Sequence, residues 1–132
     1  MQDLILRRRL DPAQPEALQG AQLAHVRELL RGKRGVKFYQ SPAWSRLRAE
    51  VLAGSHYECA VCAQRGKYTR AVCVHHVHHV EDHPELALAL HYFSGGESFA
   101  QLVPLCHECH EDAHMHRVIS RTDVQPLTPE RW

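Results

Sequence analysis

The chain has 132 residues, of which 44% are hydrophobic and 7% aromatic, and a formal net charge of +1. This length predicts a single domain, and no apolar run is long enough to cross a membrane, so we expect no membrane partner. At residues 1–9 the charged residues follow the apolar ones, which is not the order of a signal peptide, so we expect a cytoplasmic protein in which disulfides are disfavoured.

Charge is divided unevenly along the chain. Residues 1–70 hold 13 Lys and Arg against 6 Asp and Glu, whereas residues 71–132 hold 3 against 9. The basic half is suited to a polyanion such as nucleic acid, and the acidic, histidine-rich half is suited to cations. Solvated faces of opposite charge would give the same distribution, so charge alone does not decide between these interpretations.

The N-terminal part, residues 1–37, is predicted to be a basic helical extension. Prolines make residues 1–14 irregular, and apolar residues at helical spacing predict a helix over residues 16–31. The basic stretch at residues 27–37 could contact DNA, or it could be a solvated helix end.

A second helix is predicted to begin at Ser41-Pro42. Serine is a favoured N-cap, proline suits the first helical turn, and Gly54 is the expected stop. Trp44 lies on the apolar stripe of this helix and is interpreted as a core residue.

The middle of the chain alternates loops with short regular segments. Residues 56–70 are predicted to form a loop around a cysteine pair, and residues 71–80 a strand. Residues 85–90 are expected to make one or two helical turns, and the glycine-containing segment 94–98 a flexible loop.

The last part is predicted to hold a short extended segment at residues 102–105 and a helix from about residue 109 to about residue 120. Prolines in residues 121–132 predict an irregular C-terminal tail.

Two Cys-x-x-Cys pairs, Cys59 with Cys62 and Cys106 with Cys109, are the strongest chemical signal in the chain. A two-residue gap lets both sulfurs of a pair turn toward one ion, so two pairs can supply the four thiolates of a closed structural zinc site. A thioredoxin-like redox centre would need only one pair, at the start of a helix. Cys73 lies in an apolar stretch and is interpreted as a small packed residue.

Histidines placed between and after the cysteines predict a second metal centre. His110 and His114 are four residues apart on the predicted helix and share a face, and His75 on the predicted strand could complete the ligand set. His76 points to the other side of the strand and is therefore a candidate general base, since a free imidazole titrates near ~6.5. Surface or packing roles remain the alternative for each of these histidines.

Several segments in this order resemble the His-Asn-His (HNH) endonucleases, particularly the small type encoded by phages and prophages. They extend over about 80 of the 132 residues. The matching segments are Phe38-Tyr39-Gln40-Ser41-Pro42-Ala43-Trp44, Leu47-Arg48, Cys59-Ala60-Val61-Cys62, Val74-His75-His76-Val77, Pro84-Glu85-Leu86-Ala87-Leu88 and Leu102-Val103-Pro104-Leu105-Cys106-His107-Glu108-Cys109-His110.

The resemblance implies an α+β fold: a small ββα-metal (His-Me finger) core at residues 38–120, with a four-cysteine zinc knuckle and N-terminal helices. It implies that His75 and His110 bind a catalytic divalent ion, with His114 as a less certain ligand. His76 matches the general base of the family. The implied activity is nicking or cutting of double-stranded DNA.

The family's central asparagine is replaced by Gln101 here. That asparagine helps to fix the loop and the catalytic imidazole, and glutamine carries the same amide on a longer arm. Gln101 either substitutes for it or weakens the site; we favour retained activity.

The predicted catalytic site offers mainly imidazole nitrogens. These suit zinc, nickel, cobalt or manganese better than magnesium, which prefers oxygen ligands. We therefore expect stronger nuclease activity with manganese, cobalt or nickel than with magnesium.

The leading hypothesis is a metal-dependent DNA endonuclease with a structural zinc. One alternative is a catalytically weak, zinc-stabilised module that binds nucleic acid or a packaging protein, and another is a metal-storage or sensor protein. The resemblance also makes a phage role beside terminase and other packaging proteins plausible. Five basic residues are candidate phosphate contacts, with solubility as the alternative role: Arg46, Arg48, Arg65, Lys67 and Arg70.

Overall fold

The computed structural model describes residues 2–113. The predicted ligand His114 and the predicted tail at residues 121–132 lie outside the described residues. The helices are α1 (Gly20–Leu30), α2 (Val36–Tyr39), α3 (Pro42–Gly54), α4 (Ala60–Gln64) and α5 (107–113), with short 3₁₀ helices at Gln2–Ile5, Lys33–Gly35 and Pro84–Leu86. The strands are β1 (Cys73–His76), β2 (His91–Ser94), β3 (Glu97–Ala100) and β4 (Leu102–Leu105).

Two small antiparallel sheets accompany the helices, in agreement with the predicted α+β class. β1 pairs with β4, so that His75 lies opposite Val103 and His76 opposite Leu102. β2 and β3 form a separate hairpin. Among the described residues, no helix is long and apolar enough to cross a membrane.

The first strand is shorter than the predicted segment 71–80, because only Cys73–His76 is in the ladder. After the last ladder pair, the Val77 N–H donates to the Gln101 carbonyl at 2.8 Å. The Gln101 side-chain amide then forms hydrogen bonds with both main-chain groups of His78: it accepts from the N–H and donates to the carbonyl. A side-chain amide therefore replaces the neighbouring strand and ends the sheet here.

The prediction of a flexible loop at 94–98 is wrong, since Gly95 and Gly96 form a tight turn and the other residues lie in β2 and β3. Gly95 and Gly96 have φ of +60° and +82°, as two-residue hairpin turns with a primed geometry require. The Asp11 carboxylate accepts from both glycine N–H groups, at 2.8 and 2.9 Å. A contact from a remote part of the chain thus fixes the turn.

Residues 11–16 form a strap against the same hairpin. The Gln14 side-chain amide donates to the Phe93 carbonyl and accepts from the Phe93 N–H, each at 2.9 Å. The Glu16 carboxylate accepts from the N–H groups of Leu90 and His91, at 2.8 and 3.1 Å. The strap thus joins residues 11–16 to the β2–β3 hairpin, while the division of the chain at residue 37 stays a prediction.

The first helix begins at Gly20 and not at the predicted residue 16. The N–H of Leu18 donates to the carbonyl of Glu85 at 2.8 Å, so this part of the chain is already engaged outside the helix. Val26 is the buried residue of α1.

Helix α3 begins as predicted. The Ser41 hydroxyl accepts from the Trp44 N–H at 3.3 Å, and Pro42 occupies the first helical position. This capping bond satisfies one of the N–H groups that a helix start leaves without a partner.

The end of α3 is not set by Gly54, which is still helical. The chain leaves the helix at His56 and Tyr57, whose φ values are +56° and +59°. The His56 N–H donates to Ala53 and the Tyr57 N–H to Leu52, at 3.0 and 2.8 Å. These two bonds are those of a Schellman motif, built here with histidine in the position that usually takes glycine.

The β1–β4 sheet lies between two apolar clusters. One cluster contains Val103 and Leu105 with the four paired cysteines. The other contains Val74 and Leu102 with Trp44 and other residues of α1 to α3. Because alternate residues of a strand face opposite sides, adjacent residues of β1 enter different clusters.

Candidate active site

The two cysteine pairs meet, as predicted. The Sγ atoms of Cys59, Cys62, Cys106 and Cys109 lie within 4.8 Å of one another, and all four residues are buried. Cys62 is 3.8 Å from Cys109 and 4.0 Å from Cys106, measured between Sγ atoms. A tetrahedral ion with Zn–S bonds of about 2.3 Å separates its sulfurs by about 3.8 Å, so the cluster is consistent with a zinc knuckle.

Local structure brings the cysteines into position. Cys59 precedes α4 and Cys62 lies within it. Cys106 and Cys109 are at the start of α5. Burial, together with the neighbouring thiols, raises the pKa of the Cys109 thiol. A bound cation would offset this penalty and allow the thiols to ionise, so the chemistry of the cluster fits a metal ion.

Cys73 is not part of this cluster. Its Sγ donates to the Leu105 carbonyl at 3.4 Å, and the residue packs at the edge of the core. Burial raises the pKa of this thiol to about 11, which makes it an unreactive packed residue, as its apolar sequence context suggests.

His75 on β1 and His110 on α5 face each other. Their ring centroids are 5.6 Å apart, at an interplanar angle of 71°. Two rings this close could each offer a nitrogen to one ion, which His75 and His110 would then hold. Burial lowers the pKa of His110, which favours the neutral form that binds metals. The contribution of His114 to this pair stays a prediction, because that residue lies outside the described part of the chain.

His76 faces the other side of β1, as the alternation of a strand predicts. Its ring stacks on Trp44, with centroids 4.7 Å apart. Nε2 lies 2.9 Å from the carbonyl oxygen of Ala87. Since a carbonyl can only accept, Nε2 carries the proton and Nδ1 carries the lone pair. Burial lowers the pKa of His76 to about 4, so the ring is neutral near pH 7.

Gln101 is fully buried and lies immediately before β4. Its Oε1 accepts from the His78 N–H at 3.0 Å, and its Nε2 donates to the His78 carbonyl at 2.8 Å. The side chain therefore holds the main chain two residues beyond His76. This arrangement supports the idea that the glutamine amide fixes the loop that follows the two histidines.

His78 itself lies inside the fold. Its ring packs edge-to-face against Tyr92, with centroids 4.5 Å apart, and against His83 at 5.5 Å. Burial lowers the pKa of His78 to about 4, and the charges of His83 and Arg7 act in the same direction. A neutral packed imidazole fits a role in the interior.

The five candidate phosphate contacts have different surroundings. Arg46, Arg65 and Lys67 are exposed. Arg48 donates to the Val72 carbonyl at 2.9 Å, next to β1, and the Arg70 guanidinium lies 4.7 Å from the Tyr57 ring centroid. Arg48 and Arg70 thus have contacts within the fold, and a DNA contact for any of the five stays a prediction.

Two features of the His76 environment were not found from the sequence. The Ala87 carbonyl comes from a loop eleven residues away, and main-chain acceptors leave no mark in the residue types. Trp44 was interpreted as core alone, although its position in the segment Phe38–Trp44 that carries the family resemblance was a usable signal.

A scan against protein-family models and a search of curated protein sequences found no match to the chain. A search of solved structures found the crystal structure of the HNH endonuclease of the deep-sea thermophilic bacteriophage GVE2, determined with a manganese ion. The two proteins share 26% sequence identity at a TM-score of 0.57, over 76% of this chain and 94% of that chain. The similarity supports a nuclease function.

Proposed function

We propose that this chain, which has an HNH-type nuclease fold, is a metal-dependent endonuclease that nicks or cuts double-stranded DNA by phosphodiester hydrolysis. One observation carries the proposal: His75 on β1 and His110 on α5 face each other at 5.6 Å between ring centroids. The similar phage structure supports the same conclusion.

The proposed catalytic ion is held by His75 and His110, with His114 as a third ligand. Imidazole ligands favour manganese, cobalt, nickel or zinc over magnesium, and the similar phage enzyme was solved with manganese. When bound, such an ion polarises the scissile phosphate and stabilises the leaving oxygen.

His76 is the proposed general base. The Ala87 carbonyl holds the Nε2 proton, so Nδ1 is the atom that accepts a proton from the attacking water. Proton transfer leaves the ring with N–H groups at both nitrogens, and the carbonyl then stabilises the positive charge. Gln101 acts indirectly in this proposal, by fixing the chain that follows His76.

The paired cysteines are proposed to bind a structural zinc ion. The ion would join the segment around α4 to the beginning of α5, which carries His110 directly after Cys109. A structural ion at this place keeps the ligand on α5 at a constant distance from β1.

DNA is the proposed partner, with exposed basic side chains as phosphate contacts. These are Arg46, Arg65, Lys67 and Arg70, together with the half-buried Arg48. The phage origin of the similar structure supports a further proposal, that the protein is phage-associated and acts beside terminase and other packaging proteins in the host cytoplasm.

A plasmid-nicking assay of purified protein tests the proposal, with manganese, cobalt, nickel and magnesium compared at equal concentration. We expect His76→Ala to cut at least about 100-fold more slowly, since a general base typically contributes this much or more. His25→Ala, which changes an exposed histidine on α1, is the matched control and should cut like the wild type. Cutting by His76→Ala at the control rate removes His76 from its proposed role.

The burial of His76, of which only 6% is exposed, favours a second candidate function. A base covered this closely is compatible with a catalytically weak, zinc-stabilised module that binds nucleic acid or a protein. This function predicts DNA binding without cleavage, and no change in binding for His76→Ala.

A further inference from the structure

We infer that Trp44 is a positioning residue for the general base: its indole ring holds the imidazole of His76 in the orientation from which Nδ1 accepts the proton. The inference rests on the proposed nuclease function and adds a residue to it. It starts from the aromatic side chains of Phe38, Tyr39 and Trp44, which surround His76 on one side of β1.

The contact between Trp44 and His76 is a face-to-face stack. The ring centroids are 4.7 Å apart and the planes differ by 28°. Phe38 and Tyr39 are further away, with centroids at 6.2 and 6.3 Å, and meet the imidazole at steeper angles of 56° and 71°. The indole is thus the nearest of the three rings to the imidazole and the most nearly parallel to it.

The stack and one hydrogen bond together define the position of the base. The stack restricts tilting of the imidazole, because a tilt would either separate the two ring faces or make them clash. The hydrogen bond from Nε2 to the Ala87 carbonyl, at 2.9 Å, prevents the imidazole from rotating by half a turn about its Cβ–Cγ bond. Each constraint leaves a motion that the other removes, so both are needed to direct Nδ1.

Trp44 is itself held in place. Its main-chain N–H donates to the Ser41 hydroxyl at 3.3 Å, and that hydroxyl donates to the Phe38 carbonyl at 2.7 Å. The Phe38 ring lies 5.6 Å from the indole, and the edge of Tyr39 meets it at 6.0 Å. The hydrogen bonds at the start of α3 therefore also anchor Trp44, the residue on which the His76 imidazole stacks.

A positioning role makes a distinct kinetic prediction. Trp44 is only 4% exposed, so it offers little surface to DNA, and its loss should leave the KM for DNA nearly unchanged. Misplacement of a catalytic group by about 1 Å can cost about 100-fold in rate, so the loss should appear in kcat.

The experiment compares Trp44→Leu and Trp44→Phe with Leu52→Ala in the plasmid-nicking assay. Leu52 is a buried residue of the same helix and the same apolar cluster, so its truncation damages the core in a matched way. Zinc content and circular dichroism identify folded samples. If Trp44→Leu does not fold, Trp44→Met takes its place.

We expect Trp44→Leu to lower kcat by about 10- to 100-fold with KM within about twofold of the wild type. Trp44→Phe, which keeps an aromatic face, should recover kcat to within about threefold, and Leu52→Ala should keep the wild-type kcat at temperatures where it is folded. The NMR signals of the His76 ring should shift in Trp44→Leu, where the indole ring current is lost, and should move least in Leu52→Ala.

Different results overturn different statements. If the wild type cuts and Trp44→Leu has the kcat of Leu52→Ala, Trp44 is a core residue only and this inference is wrong, while the proposed function stands. If the wild type cuts with none of the four ions, the proposed function is wrong, and the positioning role goes with it. A rise in KM at constant kcat would make Trp44 a contributor to DNA binding and would also overturn the inference.

Discussion

The two adjacent histidines of β1 lie in different surroundings. His75 meets His110 of α5, whereas His76 lies against Trp44 and the Ala87 carbonyl. The alternation of a strand separates the two side chains, and the contacts on each side give them different chemistry. One side brings two imidazoles together, and the other holds a single neutral imidazole whose Nε2 faces the Ala87 carbonyl.

Gln101 is the residue at which a single substitution should be most informative for stability. Gln101→Leu leaves the buried N–H and C=O groups of His78 without the amide, and we expect a loss of about 2–4 kcal/mol in the free energy of unfolding. Gln101→Asn should lose about 1–2 kcal/mol, since the shorter arm does not reach both groups. Urea unfolding of the zinc-loaded protein measures both changes.

Gln64→Leu, at an exposed position of α4, is the control for this series and should change stability by less than about 0.5 kcal/mol. An asparagine variant as stable as the wild type would show that the reach of the amide at position 101 does not matter.

At the scale of elements, remote polar side chains end and fix the regular segments. The amide of Gln101 ends β1, the carboxylate of Asp11 fixes the β2–β3 turn, and the hydroxyl of Ser41 starts α3. Of these three residues, Ser41 alone lies next in sequence to the element on which it acts, and the start of that element was predicted correctly.

At the end of α3, a single substitution is expected to raise the stability of the protein. His56 has φ of +56°, where a side chain costs about 1 kcal/mol relative to glycine. We expect His56→Gly to raise the free energy of unfolding by about 0.5–1 kcal/mol, measured by thermal or urea unfolding. Ala53→Gly, three residues earlier and exposed within the helix, introduces the same residue and should lower stability by about 1 kcal/mol. Equal effects of the two variants would contradict the role of the left-handed conformation.

For the whole molecule, the cysteine cluster joins segments that are far apart in sequence. We expect removal of the structural ion by a chelator to unfold the protein at room temperature, because zinc binding in small domains supplies about 10–16 kcal/mol, as much as a typical folding free energy or more. Circular dichroism during titration with EDTA, with metal analysis before and after, measures this.

Cysteine variants separate the ligands from the remaining thiol. Cys106→Ser should lose the zinc and most of the stability, whereas Cys73→Ser, outside the cluster, should keep one zinc per chain and unfold near the wild-type temperature. A protein that stays folded without metal would contradict the proposed structural role of the cluster.

The amino-acid sequence alone was sufficient for features that depend on spacing along the chain. The two-residue gap between paired cysteines, the Ser41-Pro42 start of α3 and the extended segment at residues 102–105 are local patterns, and the structure has each of them. Strand alternation likewise placed His75 and His76 on opposite sides before any contact was known.

Only the tertiary structure decided what depends on chain segments that meet from a distance. The stack of Trp44 on His76, the acceptor at Ala87, the reach of Gln101 to His78 and the strap at residues 11–16 all join residues separated by many positions. Residue types state which groups can stack or form hydrogen bonds, but the partner is chosen by how the whole chain packs. For this reason the meeting of the cysteine pairs was readable in the sequence, and the contacts that orient the His76 ring were not.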